Sequence, residues 1–133
     1  MSTEEDVQLL AVSPIDGRYK RSTKNLSGYF SEFALFKYRV HIEVEYFIAL
    51  TKVEAIVPLR GVPQEKIDAL RAKVDMDKFT LEDAKKIKET EKVTNHDIKA
   101  VEYFVKDTMK ECGLEEYLEF IHFGLTSQDI NNT

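Results

Sequence analysis

One long stretch of this chain, Ser31 to Val53, contains neither proline nor glycine, and it limits the possible folds more than any other feature. Apolar residues recur along it at helical spacing, in two stripes. The first stripe is Phe33, Phe36, Val40, Val44 and Phe47, and the second is Leu35, Tyr38, Ile42, Tyr46 and Ala49. Because a helix that is apolar over much of its circumference is normally buried among other helices, the stretch predicts a helical domain.

Part of the same stretch also matches a β-strand. Residues 37–46 alternate between polar and apolar side chains, which is the pattern of a half-buried strand. A run of about 20 residues without a turn signal is long for a strand, since most strands have about 3–10 residues. Length therefore favours the helix.

Turn and capping signals divide the rest of the chain into shorter helices. A loop marked by Val57, Pro58, Gly61 and Pro63 precedes a predicted helix over 64–74, and Pro63 is a residue type that suits the first position of a helix. Thr80, three residues before Asp83, predicts the start of a second helix. A third is predicted to begin at Thr94 and end at Gly113, and a shorter piece covers 114–120. Residues 1–12 show no clear period and predict a flexible arm. We therefore expect an all-α fold, with residues 1–133 forming one domain.

The composition excludes several classes of protein. Nineteen basic and 24 acidic residues give a net charge of −5, which argues against general nucleic-acid binding. A single cysteine, Cys112, excludes an internal disulfide and suits a reducing compartment. The N-terminus is acidic, and no apolar run approaches the roughly 18 residues of a membrane-spanning helix. These features predict a cytoplasmic protein with neither a nucleic-acid nor a membrane partner.

Arg18 and Tyr19 follow directly after a predicted tight turn. In the turn SPIDG (13–17), Pro14 presets its φ angle, Asp16 can bond to its own backbone, and Gly17 accepts the strained exit. A planar cation beside a phenol suits a phosphate group. The alternative is an ordinary surface pair.

Two further segments combine a helix start with polar side chains. If Thr94 is an N-cap, the exposed N–H groups of Asn95, His96 and Asp97 form an anion site, and His96 can move a proton near neutral pH. Thr126 and Ser127 offer two hydroxyls at another start, TSQD, a capping-box pattern. The alternative in both cases is a plain cap, because this pattern recurs in the chain. Only four residues follow Asp129, which suggests a truncated helix.

The remaining histidines and the cysteine predict packing rather than chemistry. His41 and His122 have apolar neighbours, and Cys112 falls on the apolar face of its helix. Their spacing matches no metal-ligand pattern, and the chain has no glycine-rich phosphate loop. The residues alone therefore predict no metal site.

Three blocks of the sequence, in this order, carry a family resemblance: SPIDGRY (13–19), TNHDIKAVEYF (94–104) and FIHFGLTSQDINN (120–132). Together they resemble the N-terminal part of the bacterial-type adenylosuccinate lyases, a family of the aspartase/fumarase superfamily. The resemblance implies a β-elimination that splits adenylosuccinate into AMP and fumarate. It also implies cleavage of succinyl-aminoimidazole-carboxamide ribotide into its carboxamide product and fumarate. It further implies purine biosynthesis, a mainly helical homotetramer with three-subunit active sites, and no metal or organic cofactor.

The resemblance also implies roles for individual residues. It implies that Arg18 and Tyr19 bind the nucleotide phosphate. It implies that Asn95, His96 and Asp97 form the substrate loop, with an auxiliary catalytic role for His96. Thr126 and Ser127 are implied to bind the succinyl carboxylate.

Two motifs of the family do not occur in this sequence. The general-acid histidine belongs to a His-Gly-Gln motif and the base to a Gly-Ser-Ser serine loop, and neither is present. The long central helix bundle is also missing, so we expect a chain truncated before that bundle and inactive by itself. The alternatives are another fumarate-releasing lyase of the superfamily and a non-enzymatic helical module that binds a partner.

Overall fold

The computed structural model describes residues 3–133, and within them all regular secondary structure is helical. This confirms the all-α prediction and excludes the strand alternative for 37–46. The α-helices are α1 (Glu4–Leu9), α2 (Lys20–Thr23), α3 (Ser27–Phe30), α4 (Glu32–Leu50), α5 (Gln64–Lys73), α6 (Leu81–Thr94), α7 (Asp97–Glu111) and α8 (Ser127–Asn132). Short 3-10 helices cover Lys24–Leu26, Val57–Leu59 and Glu115–Phe120.

The chain divides into two compact units, one ending at Leu35 and the other beginning at Phe36. The first unit contains α1 to α3, and the second contains most of α4 and all later helices. The assignment of all residues to one domain stays a prediction. Within the described residues, no helix is both long enough and apolar enough to cross a membrane.

Helix α1 lies where the sequence predicted no regular element. Its start is a capping box, in which Thr3 Oγ1 accepts from the Asp6 N–H at 3.2 Å and Asp6 Oδ2 accepts from the Thr3 N–H at 2.9 Å. Helical periodicity does not mark α1, because its apolar residues, Val7 and Leu9, are exposed and form no buried stripe. The Thr-x-x-Asp pattern is the signal that predicts it.

Gly17 is required in the first unit for a different reason from the one predicted. The turn forms as expected, with the N–H groups of Asp16 and Gly17 both donating to the Ser13 carbonyl at 3.1 Å. Gly17 does not have a positive φ angle, so the predicted strained exit is wrong. A Cβ atom at this position would lie 2.5 Å from the Gln8 carbonyl oxygen. Close approach of the backbone, and not an unusual φ angle, therefore demands glycine here.

Helix α4 supplies the centre of the second unit's core. Ser31 Oγ accepts from the Ala34 N–H at 3.1 Å, just before the helix. Within the second unit, the first apolar stripe is almost fully buried, at Phe36, Val40, Val44 and Phe47. The second stripe is less buried, since Tyr38, Ile42 and Tyr46 are only partly covered and Ala49 is exposed. Only one of the two predicted stripes therefore lies in the core.

Helices α6 and α7 pack against each other, and α5 packs on α7. Helix α6 begins at the predicted cap, because Thr80 Oγ1 accepts from the Asp83 N–H at 3.3 Å. Helix α7 has the most buried positions of this group, including Ile98, Val101 and Val105. It ends before Gly113, as the sequence predicted, and Gly113 has a left-handed backbone with φ of 70°.

Candidate functional site

The corner between α6 and α7 differs from the predicted helix start. Helix α6 continues through Thr94, and the Asn95 N–H still donates to the Glu91 carbonyl at 2.8 Å. Asn95 then adopts a left-handed conformation with φ of 50°, which asparagine tolerates better than most residues. His96 is the N-cap of α7, so the prediction that Thr94 caps this helix is wrong. The cap of α7 therefore lies two residues after the predicted one.

His96 caps α7 through its imidazole ring. Its Nδ1 atom accepts from the Lys99 N–H at 3.2 Å. Nδ1 can accept only when it carries no proton, so the proton of the neutral ring lies on Nε2. About half of the side chain is exposed, at 51%. The cap therefore orients the ring and leaves a donor nitrogen for another partner.

Asp97 is held by two donors at the first turn of α7. Its Oδ2 accepts from Arg39 Nη1 at 2.7 Å, and its Oδ1 accepts from the Ile98 N–H at 2.8 Å. Burial raises the pKa of Asp97, but the Ile98 N–H and the Arg39 guanidinium outweigh it and bring the pKa below its usual value. Asp97 is thus a carboxylate in a fixed orientation.

Thr126 and Ser127 lie at the start of α8, as the sequence predicted. The Thr126 N–H and hydroxyl both donate to Asp129 Oδ2, at 2.7 and 2.9 Å. These bonds lower the pKa of Asp129. Ser127 is half-buried, and its hydroxyl forms no hydrogen bond within residues 3–133. Ser127 therefore keeps its hydroxyl for another partner, whereas the Thr126 hydroxyl is already donating.

Arg39 on α4 contacts both of these segments. Besides its bond to Asp97, it donates from Nε and Nη2 to Asn131 Oδ1 at 3.1 and 2.8 Å. The residue is only 6% exposed. The structure thus joins the α6–α7 corner to α8 through one guanidinium group. Arg39 is not among the predicted site residues, because its partners lie 58 and 92 residues away and no local pattern marks it.

Glu43, one turn further along α4, holds the segment before α8. The side chain is fully buried, and its Oε1 lies 2.5 Å from His122 Nδ1. Within the described residues, the other carboxylate oxygen has no hydrogen-bond partner. Burial raises the pKa of Glu43, and the bond to His122 opposes that rise only in part. His122, for which the sequence predicted packing rather than chemistry, is hydrogen-bonded, with 18% of its side chain exposed.

Arg18 and Tyr19 are both exposed residues of the first unit. The Arg18 guanidinium carbon lies 5.5 Å from the centre of the Tyr19 ring, within the range of a cation–π contact. The Tyr19 N–H donates to the Pro14 carbonyl at 2.8 Å, which fixes the pair to the predicted turn. Within residues 3–133, Arg18 has no ion-pair partner, so its charge is available.

The titratable residues are spread over the chain. Among residues 3–133, no three His, Cys, Asp or Glu side chains are grouped so that they could hold a metal ion. Cys112, at the end of α7, has a pKa raised by burial, as expected for an unreactive thiol. The candidate site of the second unit therefore combines the His96 imidazole, the Asp97 carboxylate and the Ser127 hydroxyl.

Comparison with known proteins assigns the class of this chain. A family model described as lyase matches residues 17–133, so the chain belongs to the lyase family. Curated relatives named adenylosuccinate lyase are similar to it. The protein of Dictyostelium discoideum is 54% identical over 100% of this chain and 29% of its own length. Those of Escherichia coli K12 and Buchnera aphidicola of Schizaphis graminum are 46% and 45% identical, over 93% of the chain and 27% of their own length. The chain thus spans less than a third of these relatives.

Proposed function

We propose that this chain is the N-terminal part of an enzyme that cleaves adenylosuccinate to AMP and fumarate. The same enzyme would convert succinyl-aminoimidazole-carboxamide ribotide to its carboxamide product and fumarate, in cytoplasmic purine biosynthesis. Membership of the lyase family and the name of the relatives support this proposal. The observation that carries it is the Arg39 bridge, because it joins two of the three segments that the resemblance assigns to substrate.

The α6–α7 corner is proposed to bind the succinyl end of the substrate. Asn95 and His96 are exposed, and His96 presents its Nε2 donor outward from the capped ring. We assign His96 an auxiliary role near the reacting carbon. Asp97 would act mainly by holding this corner, since both of its oxygens already accept hydrogen bonds.

The start of α8 is proposed to hold a carboxylate of the substrate. Ser127 supplies a hydroxyl that forms no hydrogen bond within the described chain, and Thr126 supplies the capped turn that orients it. Each charge-assisted hydrogen bond to a carboxylate contributes about 1.5–3 kcal/mol. Local donors carry this attraction because the chain itself has a net charge of −5.

Arg18 and Tyr19 are proposed to grip the nucleotide phosphate. A guanidinium group donates to two phosphate oxygens at once, and the phenol adds a further donor. The turn fixes the backbone of this pair through the Tyr19–Pro14 hydrogen bond. The pair therefore starts from a defined backbone position when phosphate binds.

The proposed reaction needs a base and an acid that this chain lacks. A base removes the proton from the carbon next to a carboxylate. The electron pair of that C–H bond then forms the fumarate double bond as the C–N bond breaks. An acid then protonates the departing nitrogen. We propose that both groups belong to sequence outside these residues, that no metal or cofactor takes part, and that the complete enzyme is a homotetramer.

Fumarate release tests this proposal. The isolated chain should release no fumarate from adenylosuccinate, whereas the complete enzyme should release it. In the complete enzyme, His96→Ala should lower the rate by about 100-fold or more, the size of losing one hydrogen-bond donor aimed at developing charge. Lys92→Ala, an exposed change on α6 near the same corner, is the matched control and should leave the rate unchanged.

Three outcomes would contradict the proposal. Clear turnover by the isolated chain would refute the proposal that the acid and the base lie outside these residues. Turnover of argininosuccinate in place of adenylosuccinate would point to another lyase of the superfamily. An unchanged rate in His96→Ala would remove the site assignment and favour a helical module that binds a partner protein.

A further inference from the structure

Three polar side chains form a seam along one face of α4. Arg39, Glu43 and Tyr46 are spaced by four and three residues, which places them on the same side of a helix. Each contacts a segment far away in sequence. Arg39 bonds to Asp97 and Asn131, Glu43 to His122, and the Tyr46 hydroxyl donates to the Phe123 carbonyl at 2.9 Å.

Arg39 is the member of the seam that spans two segments. Three of its donors are satisfied, one by Asp97 and two by Asn131. A buried cation is costly unless it is paired, and a buried pair is weak evidence of a gain in stability. What the arrangement does supply is geometry, because a planar guanidinium fixes the directions of both partners.

Glu43 and Tyr46 hold the approach to α8. His122 has a left-handed backbone with φ of 61°, a conformation that non-glycine residues rarely adopt without surrounding support. The buried Glu43 carboxylate holds its ring, and Tyr46 holds the next carbonyl. The turn that leads into Thr126 is therefore fixed to α4 before α8 begins.

We propose that Arg39 is a positioning residue that sets the α6–α7 corner relative to the start of α8. It acts through Asp97 and Asn131 and does not itself touch the substrate. The proposal rests on the proposed function for its catalytic consequence, because the two segments it joins are those assigned to the succinyl group. The coupling of the two segments is independent of that function.

The coupling can be measured on the 133-residue chain by two-dimensional NMR of its backbone amides. Asn131→Ala cuts the link to α8 at an exposed position, so it should leave the fold intact. We expect it to shift the amide signals of Asp97 and Ile98 as well as those of α8. Arg71→Met is the matched control, because Arg71 also makes a two-bond pair with a carboxylate of α4, Glu45. It should leave both segments unshifted.

The catalytic consequence is measured in the complete enzyme. Arg39→Met should lower kcat/KM by about 100-fold, the effect of an approximately 1 Å misplacement at a site. Arg39→Lys keeps the positive charge beside Asp97 but loses the two guanidinium donors that bond to Asn131. Its kcat/KM should therefore lie between those of wild type and Arg39→Met and should equal that of Asn131→Ala. The loss should fall mainly on kcat, whereas loss of uniform binding would raise KM alone.

Each result decides between the alternatives. Signal shifts confined to α8 in Asn131→Ala, or equal shifts in Arg71→Met, would overturn the coupling. Wild-type kcat in both Arg39→Lys and Asn131→Ala would overturn the positioning role. A wild-type enzyme that releases no fumarate would contradict the proposed function instead, and the NMR signals would still decide whether Arg39 couples the two segments.

Discussion

The Thr94–Asp97 segment and the Thr126–Asp129 segment both place a threonine three residues before an aspartate, yet they fold differently. In the second segment, Thr126 donates its N–H and its hydroxyl to Asp129, and α8 begins directly afterwards. In the first, Thr94 ends α6 and His96 takes the cap. The two aspartates differ in their partners, since Asp97 bonds to Arg39.

In the first segment, a tertiary contact overrides the local capping signal. A capping box requires the aspartate to return to the backbone N–H of the cap residue. The two oxygens of Asp97 accept instead from the buried guanidinium of Arg39 and from the Ile98 N–H. The same four-residue pattern therefore forms a capping box at Thr126, where the aspartate is exposed. At Thr94 it does not, because the aspartate forms an ion pair with Arg39 of α4.

The largest expected effect comes from the tertiary contact next to the second segment. Glu43→Ala should lower the free energy of unfolding by about 3–5 kcal/mol, because removing one partner of a buried pair leaves the other uncompensated. Glu43→Gln, which keeps the shape and a hydrogen bond to His122, should lose clearly less. Urea unfolding of the chain measures both. A negligible loss in Glu43→Ala would contradict the stabilising role of the pair, and a loss in Glu43→Gln as large as that in Glu43→Ala would show that an amide cannot replace the carboxylate.

Replacing Asp97 by asparagine should lower the free energy of unfolding more than the same change at Asp129. Asp97→Asn should lower the free energy of unfolding by about 1 kcal/mol, because its ion pair with Arg39 is partly screened by solvent. Asp129→Asn should cost less, because its partners are the exposed groups of one turn. Thermal unfolding of the two variants ranks them. The reverse ranking would contradict a dominant tertiary contact at Asp97.

The acid side of the stability curve gives a third test. The pKa of Asp97 is lower in the folded chain than its usual value near 3.8, so its contribution is complete above that value and is lost as pH falls through the folded pKa. The stability difference between wild type and Asp97→Asn should therefore shrink below about pH 4. Unfolding curves between pH 2 and 7 check this, and a constant difference would argue against the lowered pKa.

The smallest expected effect distinguishes a cap from a residue that only resembles one. Thr80→Ala removes a true cap and should cost about 1 kcal/mol. Thr94→Ala removes only exposed turn bonds to His96 and should cost a few tenths, roughly the range of surface substitutions. Urea unfolding compares them directly. Similar costs would restore Thr94 as the cap of α7.

Local signals predicted much of the fold. The spacing of apolar residues predicted α4, Thr80 and Thr126 predicted two helix starts, and Gly113 predicted a helix end, because each signal acts within a few residues. The Gly17 requirement was assigned to the wrong cause, since the carbonyl it accommodates belongs to Gln8 in an element that the periodicity missed.

The connections of the candidate site could not be predicted in this way. The segments at 94–97 and 126–127 were marked by their residue types, but nothing local indicates that they share a contact. The Arg39 bridge and the Glu43–His122 pair join residues 58 to 92 positions apart. The spacing of residues within a helix predicts which side chains share one face of that helix. It cannot predict which residue, distant in sequence, packs on that face.

A crystal structure of the complete enzyme with bound adenylosuccinate would show whether the two segments bind one ligand. We predict that His96 and Ser127 contact the succinyl group of the same ligand, while Arg39 still bonds to Asp97 and Asn131. A ligand bound away from both segments would contradict the proposed substrate site. An Arg39 side chain that contacts neither Asp97 nor Asn131 would contradict its proposed positioning role.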